Sequence, residues 1–334
     1  MPPARTRHGM TLVEIMISLV LLGIVSGVIM RVIMRQQRFY QGVNQILTQR
    51  GQLRQATGVV PSDLRSLSSG GGDILIASDS SMEFMMNVGT GVVCALVPGG
   101  TKVVMPPEVL FNGQSLTSWY GYGWPDPKNK PKSAYTVYIY NPGSKTGNDD
   151  DTWQMFTLTD VTSSTTACLA WSTTITVADA GQKRPILELS STGPNDPVTG
   201  GPVSQYIAVG APVRIMKQVR YKLYQAADGK WYLGYSDYDA TTSKYDELTP
   251  VSGPYEAYAS GTGSATGLGF RYYDVDGIEI ASGANATDRA RIARVDLIAR
   301  ARTATNVRAA GIQAGLNQQY KDSLAVSVML RNRQ

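Results

Sequence analysis

The sequence contains one histidine in 334 residues, His8, and that residue lies among the first nine. A site built further along the chain has no imidazole, which excludes histidine-based nucleophile triads and histidine-ligated zinc there. The chain also lacks a G-x-S-x-G elbow, a Walker A loop and a G-x-G-x-x-G motif. We therefore predict that the protein is not an enzyme and has no cofactor.

Charge is scarce in one stretch near the N-terminus. Met10 to Met30 comprises 21 residues, of which Glu14 is the one charged residue. As a helix this stretch is about 31 Å long, close to the hydrocarbon thickness of a bilayer at about 30 Å. We predict a membrane-spanning helix over residues 10–34. A carboxylate in such a helix costs about 2.5 kcal/mol or more near the bilayer centre and less near an end, so Glu14 needs a partner.

The residues before this stretch form a short basic leader with Arg5, Arg7 and no acid. The order that follows is Gly9, Met10, Thr-Leu-Val and Glu14. Residues 1–14 resemble a type IV prepilin signal. The resemblance implies that prepilin peptidase cleaves between Gly9 and Met10, that Met10 is N-methylated, and that Glu14 acts in filament assembly.

Cleavage at that point creates an α-amino group one helical turn before Glu14. The amine and the carboxylate can then meet within one chain or between neighbouring chains of a filament, where a charge pair is stronger than in water. Two other interpretations stay open: an uncleaved anchor with a tolerated glutamate, and a signal peptide cut near the weak site Val25-Ser26-Gly27. Arginines flank the span on both sides, so the positive-inside rule is nearly balanced and the resemblance alone implies a cytoplasmic N-terminus.

The formal net charge of +5 is unevenly distributed. Residues 31–65 carry six arginines and one acid, whereas residues 66–334 carry 23 basic and 24 acidic residues. Arg31, Arg35 and Arg38 fall on one helical face. A DNA-binding stripe is possible, but lipid headgroups or acidic filament neighbours explain this face more simply. We expect membrane lipid as a partner and no specific nucleic acid.

Two cysteines, Cys94 and Cys168, lie in strand-like apolar segments. An exported domain would permit a disulfide between them, and two buried thiols are the alternative. Acidic clusters at residues 149–151, 237–239 and 274–279 offer oxygen ligands for calcium, but none has EF-hand spacing. We predict no metal site.

Apolar residues from Phe39 to Leu53 follow a helical stripe, so the helix is predicted to continue to about Gly58 and to end or kink at Pro61. After Gly72 the helical period is lost. The predicted strands are 74–77, 82–87, 91–97, 135–140, 152–159, 167–177, 185–190, 205–209, 213–225, 230–236, 269–275, 278–281, 292–302 and 324–330. The fold class is α+β: a long N-terminal helix, then a large antiparallel β-rich domain. The predicted organisation is a leader at 1–9, a transmembrane helix at 10–34, an amphipathic continuation and linker at 35–70, and a β-rich extracytoplasmic domain at 71–334.

The C-terminal third resembles the W-type minor pilins, and the long helix with a β-rich body is also similar to the J-type pseudopilins of type II secretion. The residues that carry the first resemblance lie in four short motifs: Val219, Tyr221 and Leu223; Phe270, Tyr272, Asp274, Asp276 and Gly277; Arg294, Val295 and Leu297; and Leu330, Arg331 and Asn332. Asp63-Leu64-Arg65 fits both groups.

The resemblance implies a minor pilin of a type IV pilus tip or initiation complex. Its implied partners are other minor and major pilins, prepilin peptidase and the inner-membrane assembly platform. Its implied location is the bacterial inner membrane, as a single-pass protein with a periplasmic C-terminal domain, and afterwards the pilus or pseudopilus. The alternatives are a J-type pseudopilin and a helix-tethered adhesin that would use the aromatic loop at 119–124.

Overall fold

Helix α1 (Leu12–Leu64) runs without interruption for 53 residues. The computed structural model describes residues 11–97, 101–119, 135–143, 151–165, 168, 179, 181–190, 207–240, 242–259, 267–303, 306–307 and 319–330. By contacts the chain divides into a first unit, residues 1–52 and 301–322, and a second unit, residues 53–300 and 323–334. The predicted α+β class is confirmed, because antiparallel sheets follow the helix.

Pro61 is predicted to end or kink the helix. An end at Pro61 is wrong, since α1 continues to Leu64. Proline in a helix interior costs about 3 kcal/mol, but only one turn follows it here. Val60 and Leu64 are completely buried, and burying a Val or Leu side chain contributes about 1.5–3 kcal/mol. Packing therefore outweighs the local cost, and the N–H of Arg65 still donates to the carbonyl oxygen of Pro61 at 3.2 Å.

Strands of 2 to 14 residues follow the helix. They are β1 (Ile74–Ala77), β2 (Ser81–Val92), β3 (Ala95–Leu96), β4 (Lys102–Val104), β5 (Ser118–Trp119), β6 (Tyr135–Asn141), β7 (Thr152–Ser164), β8 (Arg184–Leu189), β9 (Pro212–Gln225), β10 (Trp231–Asp239), β11 (Lys244–Tyr245), β12 (Thr249–Tyr255), β13 (Leu268–Tyr273), β14 (Glu279–Ile280), β15 (Arg294–Arg302) and β16 (Lys321–Met329). A short helix, α2 (Ala286–Ala290), precedes β15.

Strand β9 is central to the larger sheet, whose order is β1-β2-β9-β6-β7-β8-β4-β3. Its first half pairs with β6, its second half with β10, and its other edge with β2, all antiparallel. Alternate residues of β9 are buried, as expected for a strand with one face on a core. One of them, Tyr221, donates its hydroxyl to Asp63 Oδ2 at 2.7 Å, which places the end of α1 on this face.

The smaller sheet has the order β14-β13-β15-β16. Every second residue of β15 from Val295 to Ala301 is buried, so the alternation read from the sequence is confirmed. The predicted strand at 205–209 is wrong over Ile207–Val209, which the structure leaves without strand pairing, and most of the predicted strand at 167–177 lies outside the described residues. The sequence analysis missed β4, β5, β11 and β12.

A buried ion pair joins the segment after α1 to the sheet. Asp73, 1 % exposed, accepts from Arg214 Nη2 at 3.1 Å and from the N–H of Ser68 at 2.8 Å. Arg214 also donates to the carbonyl oxygen of Ser66 and lies over the ring of Trp153. Burial raises the pKa of Asp73, and the Arg214 charge and the Ser68 N–H offset part of that rise.

Cys94 and Cys168 form a disulfide in the second unit, with a Cα–Cα distance of 5.4 Å. Both residues are buried in an apolar cluster with Val104 and Leu110. The bond links positions 74 residues apart in the sequence. Closing a loop of that length in the unfolded chain contributes about 4 kcal/mol to stability in the chain-entropy model.

Replacing Arg214 by Ala should lower the free energy of unfolding by about 3 kcal/mol or more, because the Asp73 carboxylate is then buried without its cation. The deficit should shrink as pH falls, since protonation of Asp73 removes the unpaired charge. Urea unfolding of the full chain in detergent, followed by near-UV circular dichroism, measures both effects. The matched control is Lys230→Ala, which breaks the exposed pair with Asp228 and should cost less than about 1 kcal/mol. Equal losses of unfolding free energy in the two variants would contradict a stabilising role of the buried Asp73–Arg214 pair.

A thiol titration of the unreduced, unfolded full chain should find no free thiol, because both cysteines are bonded. After reduction the same titration should find two. Replacing both cysteines by Ser should lower the free energy of unfolding by about 4 kcal/mol. Two free thiols before reduction would rule the disulfide out.

Candidate functional site

The first part of α1 presents apolar side chains in every direction. Its large apolar residues between Leu12 and Met34 are all exposed, from 74 % at Leu12 to 39 % at Met34. A window of 18 residues in this helix has a mean hydropathy of 2.6, and none of it is buried. By length and composition α1 can cross a membrane, and within the described residues it is the one helix that can. Full exposure distinguishes it from the core helix of a soluble domain.

Glu14 lies in the first turn of this helix and forms a capping box with Thr11. The N–H of Glu14 donates to Thr11 Oγ1 at 3.3 Å, and the N–H of Thr11 donates to Glu14 Oε2 at 3.4 Å. Thr11 thus occupies the N-cap position and Glu14 the third helical position, the spacing at which the two side chains satisfy each other's backbone donors. A carboxylate there also interacts favourably with the N-terminal end of the helix dipole.

Both contacts are long for hydrogen bonds to a charged or hydroxyl oxygen. An N-cap interaction is worth about 1 kcal/mol. A close pair of opposite charges about 4 Å apart in an effective dielectric of about 20 is worth about 4 kcal/mol before desolvation. The capping box therefore holds the Glu14 carboxylate at the helix start without preventing it from pairing with a nearby cation.

The other residues of the predicted processing site, Gly9 and Met10, lie outside the described residues. Thr11 is the residue that the sequence analysis did not single out, although the T-x-x-E spacing that predicts a capping box is readable from Thr11 to Glu14. The predicted cysteine pair belongs to the second unit, whereas this helix start belongs to the first.

The acidic clusters that suggested calcium are engaged in other contacts where the structure describes them. Asp237 pairs with Lys217 Nζ at 2.6 Å, and Asp274 accepts from Arg291 at 2.8 Å. Asp274 also accepts two backbone N–H groups of its own turn. Asp151 accepts from the Tyr140 hydroxyl, whereas residues 149 and 150 lie outside the described residues. Across the described part of the chain, no group of three or more His, Cys, Asp or Glu side chains is arranged to hold a metal ion.

Comparison with known families gives a match at the N-terminus of the chain. Residues 4–30 match the family model described as the prokaryotic N-terminal methylation motif. No curated protein and no solved structure gives a significant match to the chain. The matched residues include Glu14 and the exposed apolar part of α1 as far as Met30. The chain therefore carries a prepilin-type N-terminal methylation motif at the start of a long apolar helix, and these two features are consistent with a type IV pilin-like protein.

Proposed function

We propose that this protein is a minor pilin that enters the tip or initiation complex of a type IV pilus. The observation that carries the proposal is Glu14, a carboxylate within the methylation motif and at the start of a helix whose apolar surface is uncovered. The motif implies assembly with other pilins and processing by a prepilin peptidase. In the proposed organisation, residues 1–9 are the leader and residues 10–34 cross the membrane. Residues 35–70 form the amphipathic continuation of the helix and a linker, and residues 71–334 form the extracytoplasmic domain.

The physical case begins with the apolar surface from Leu12 to Met34. Such a surface is stable in lipid or against similar helices, because both remove it from water. In a bundle of parallel helices, the Glu14 carboxylate meets the new α-amino group of Met10 on an adjacent subunit. A slip by one turn would leave both charges without a partner in a low-dielectric environment, so the pair fixes the register.

The β-rich part supports the more specific assignment to W-type minor pilins. Val219, Tyr221 and Leu223 of the resemblance are buried residues on one face of β9. Phe270 and Tyr272 are buried in β13, and Asp274 orders the turn that follows. Leu330 is buried after β16, whereas Arg331 and Asn332 lie outside the described residues. The apolar and aromatic residues of the resemblance are thus buried framework residues, as expected for a shared scaffold.

The same N-terminal chemistry fits a J-type pseudopilin of a type II secretion system, which is the alternative function. The motif and the fold both indicate a structural role and membrane anchoring. A cytoplasmic N-terminus and a periplasmic C-terminal domain complete the proposal, with the pilus as the final location. The adhesin alternative depends on the aromatic loop at 119–124, of which residues 120–124 lie outside the described part of the chain.

The intact mass of the protein isolated from membranes should correspond to residues 10–334 plus one methyl group. Cleavage after Gly9 removes the basic leader, and methylation occurs on the new N-terminus at Met10. Mass spectrometry of the intact chain and of its N-terminal peptide measures both changes. A working filament that contains subunits with residues 1–9 still attached would contradict the proposal.

Replacing Glu14 by Gln should abolish recovery of the protein in sheared filaments while membrane insertion stays normal. Glutamine still accepts the Thr11 N–H in a capping box but carries no charge, so the variant separates pairing from capping. Glu14→Val should behave in the same way. The matched control is Thr11→Val, which removes the capping hydroxyl and keeps the carboxylate, and which should still enter filaments. Immunoblots of membrane and sheared fractions provide the measurement, and normal incorporation of Glu14→Gln would refute the charge pair.

A further inference from the structure

A cavity of about 320 Å³ lies in the second unit, between the last turns of α1 and the buried face of the larger sheet. Helix α1 contributes Val59 and Asp63, β2 contributes residues 86–88, and β9 and β10 contribute Tyr221 and Tyr235. The register of β2 against β9 shifts between Asn87 and Gly89, so the strand bulges at this point. A bulge bends its strand and interrupts the regular contact surface, which explains why helix and sheet separate here.

The polar group at the helical side of the cavity is the half-buried carboxylate of Asp63. It accepts from the Tyr221 hydroxyl at 2.7 Å and from Ser62 Oγ at 3.2 Å. Among the residues that the structure describes, no Lys or Arg forms an ion pair with it. Burial raises the pKa of Asp63, and the two hydroxyl donors offset only part of the rise.

The position of Asp63 near the C-terminal end of α1 makes the electrostatic potential beside its carboxylate more negative. Asp63 belongs to the last turn, which contains no basic residue. The C-terminal end of a helix carries the negative end of the helix dipole, so an acid there is unfavourable and a cation is favourable. The carboxylate and the helix end therefore both favour a cation at this side of the cavity.

The opposite side of the cavity is aromatic. The rings of Tyr221 and Tyr235 are 5.3 Å apart between centroids and inclined by 60°. The Tyr235 hydroxyl donates to Asp237 Oδ1 at 2.5 Å, and Asp237 Oδ2 pairs with Lys217 Nζ at 2.6 Å. Because that neighbouring pair is neutral overall, it gives Asp63 no net counter-charge. Aromatic rings beside a carboxylate form an environment that favours cations.

We propose that this cavity binds one ammonium or guanidinium group, whose charge faces Asp63 and whose methylene stem lies against Val59, Met86 and Val88. The volume is at the lower end of the range of about 300–1,000 Å³ for small-ligand sites, which suits one head group and its stem. Val59, which lines the cavity, is 37 % exposed, so the cavity wall reaches the surface at this residue. The cation is the head group of a free amine or guanidine, or a Lys or Arg side chain of a partner polypeptide.

The test uses the full chain in detergent micelles with ¹³C-methyl-labelled methionine, so that the Met86 methyl group reports on the cavity. The probes are methylguanidinium chloride and N-acetylarginine methylamide, with methylurea as the neutral analogue. We expect saturable shifts of the Met86 resonance with affinities in the millimolar range, and none with methylurea. Binding of N-acetylarginine methylamide would indicate a side chain of a partner, whereas binding of methylguanidinium alone would indicate a free ion.

Three variants decide whether the cavity is responsible. Asp63→Asn should weaken binding at least tenfold, because it removes the charge and keeps the shape. Val59→Trp should abolish binding by filling the opening without removing a polar group. Asp246→Asn, at an exposed acid outside the cavity, should bind as the wild type does. Absence of a saturable shift in the wild type, or equal affinity in Asp63→Asn and the wild type, would overturn the proposal.

Discussion

The second unit depends on the packing of the last turns of α1 against the sheet. Leu53, Ala56, Val60 and Leu64 recur at helical spacing, and each is at most 2 % exposed. Tyr221, a buried residue of β9, donates its hydroxyl to Asp63, so the end of the helix lies against this strand. Strand β9 pairs with three other strands, so this contact joins the helix to the middle of the larger sheet. The burial of the helix end stabilises the helical turn that follows Pro61.

Three carboxylates on or just after α1 show how position determines the role of a charge. Glu14 lies at the favourable end of the helix dipole. Its contact with the N–H of Thr11 is long, so the carboxylate can still pair with a cation. Asp63 lies at the unfavourable end without a cation among the described residues. Asp73 is the most deeply buried and has Arg214 as its partner. The chemistry is the same in all three, and the surroundings differ. They suit Glu14 to the proposed assembly role and Asp63 to the proposed cation site, whereas Asp73 forms a buried ion pair.

Local patterns predicted much of the fold. The alternation in β15 was readable because burial on one face imposes a period of two. The predicted bounds of β1 also agree with the structure. Strand β12 was missed because it contains Pro250, Gly253 and Pro254, which read as a loop, although an edge strand tolerates them. Pro61 was misjudged for the opposite reason: its local cost is real, but the tertiary burial of Val60 and Leu64 exceeds it.

At the candidate site, the sequence by itself determined the apolar helix, the depth of Glu14 within it and the T-x-x-E spacing of its cap. These features follow from the order of residues within a few helical turns. Only the tertiary structure decided that Asp73 meets Arg214 across 141 positions, that Cys94 meets Cys168 across 74, and that a β-bulge opens a cavity beside Asp63. Such contacts depend on which distant strands become neighbours, and strand order follows from the packing of the whole sheet, which no local period encodes.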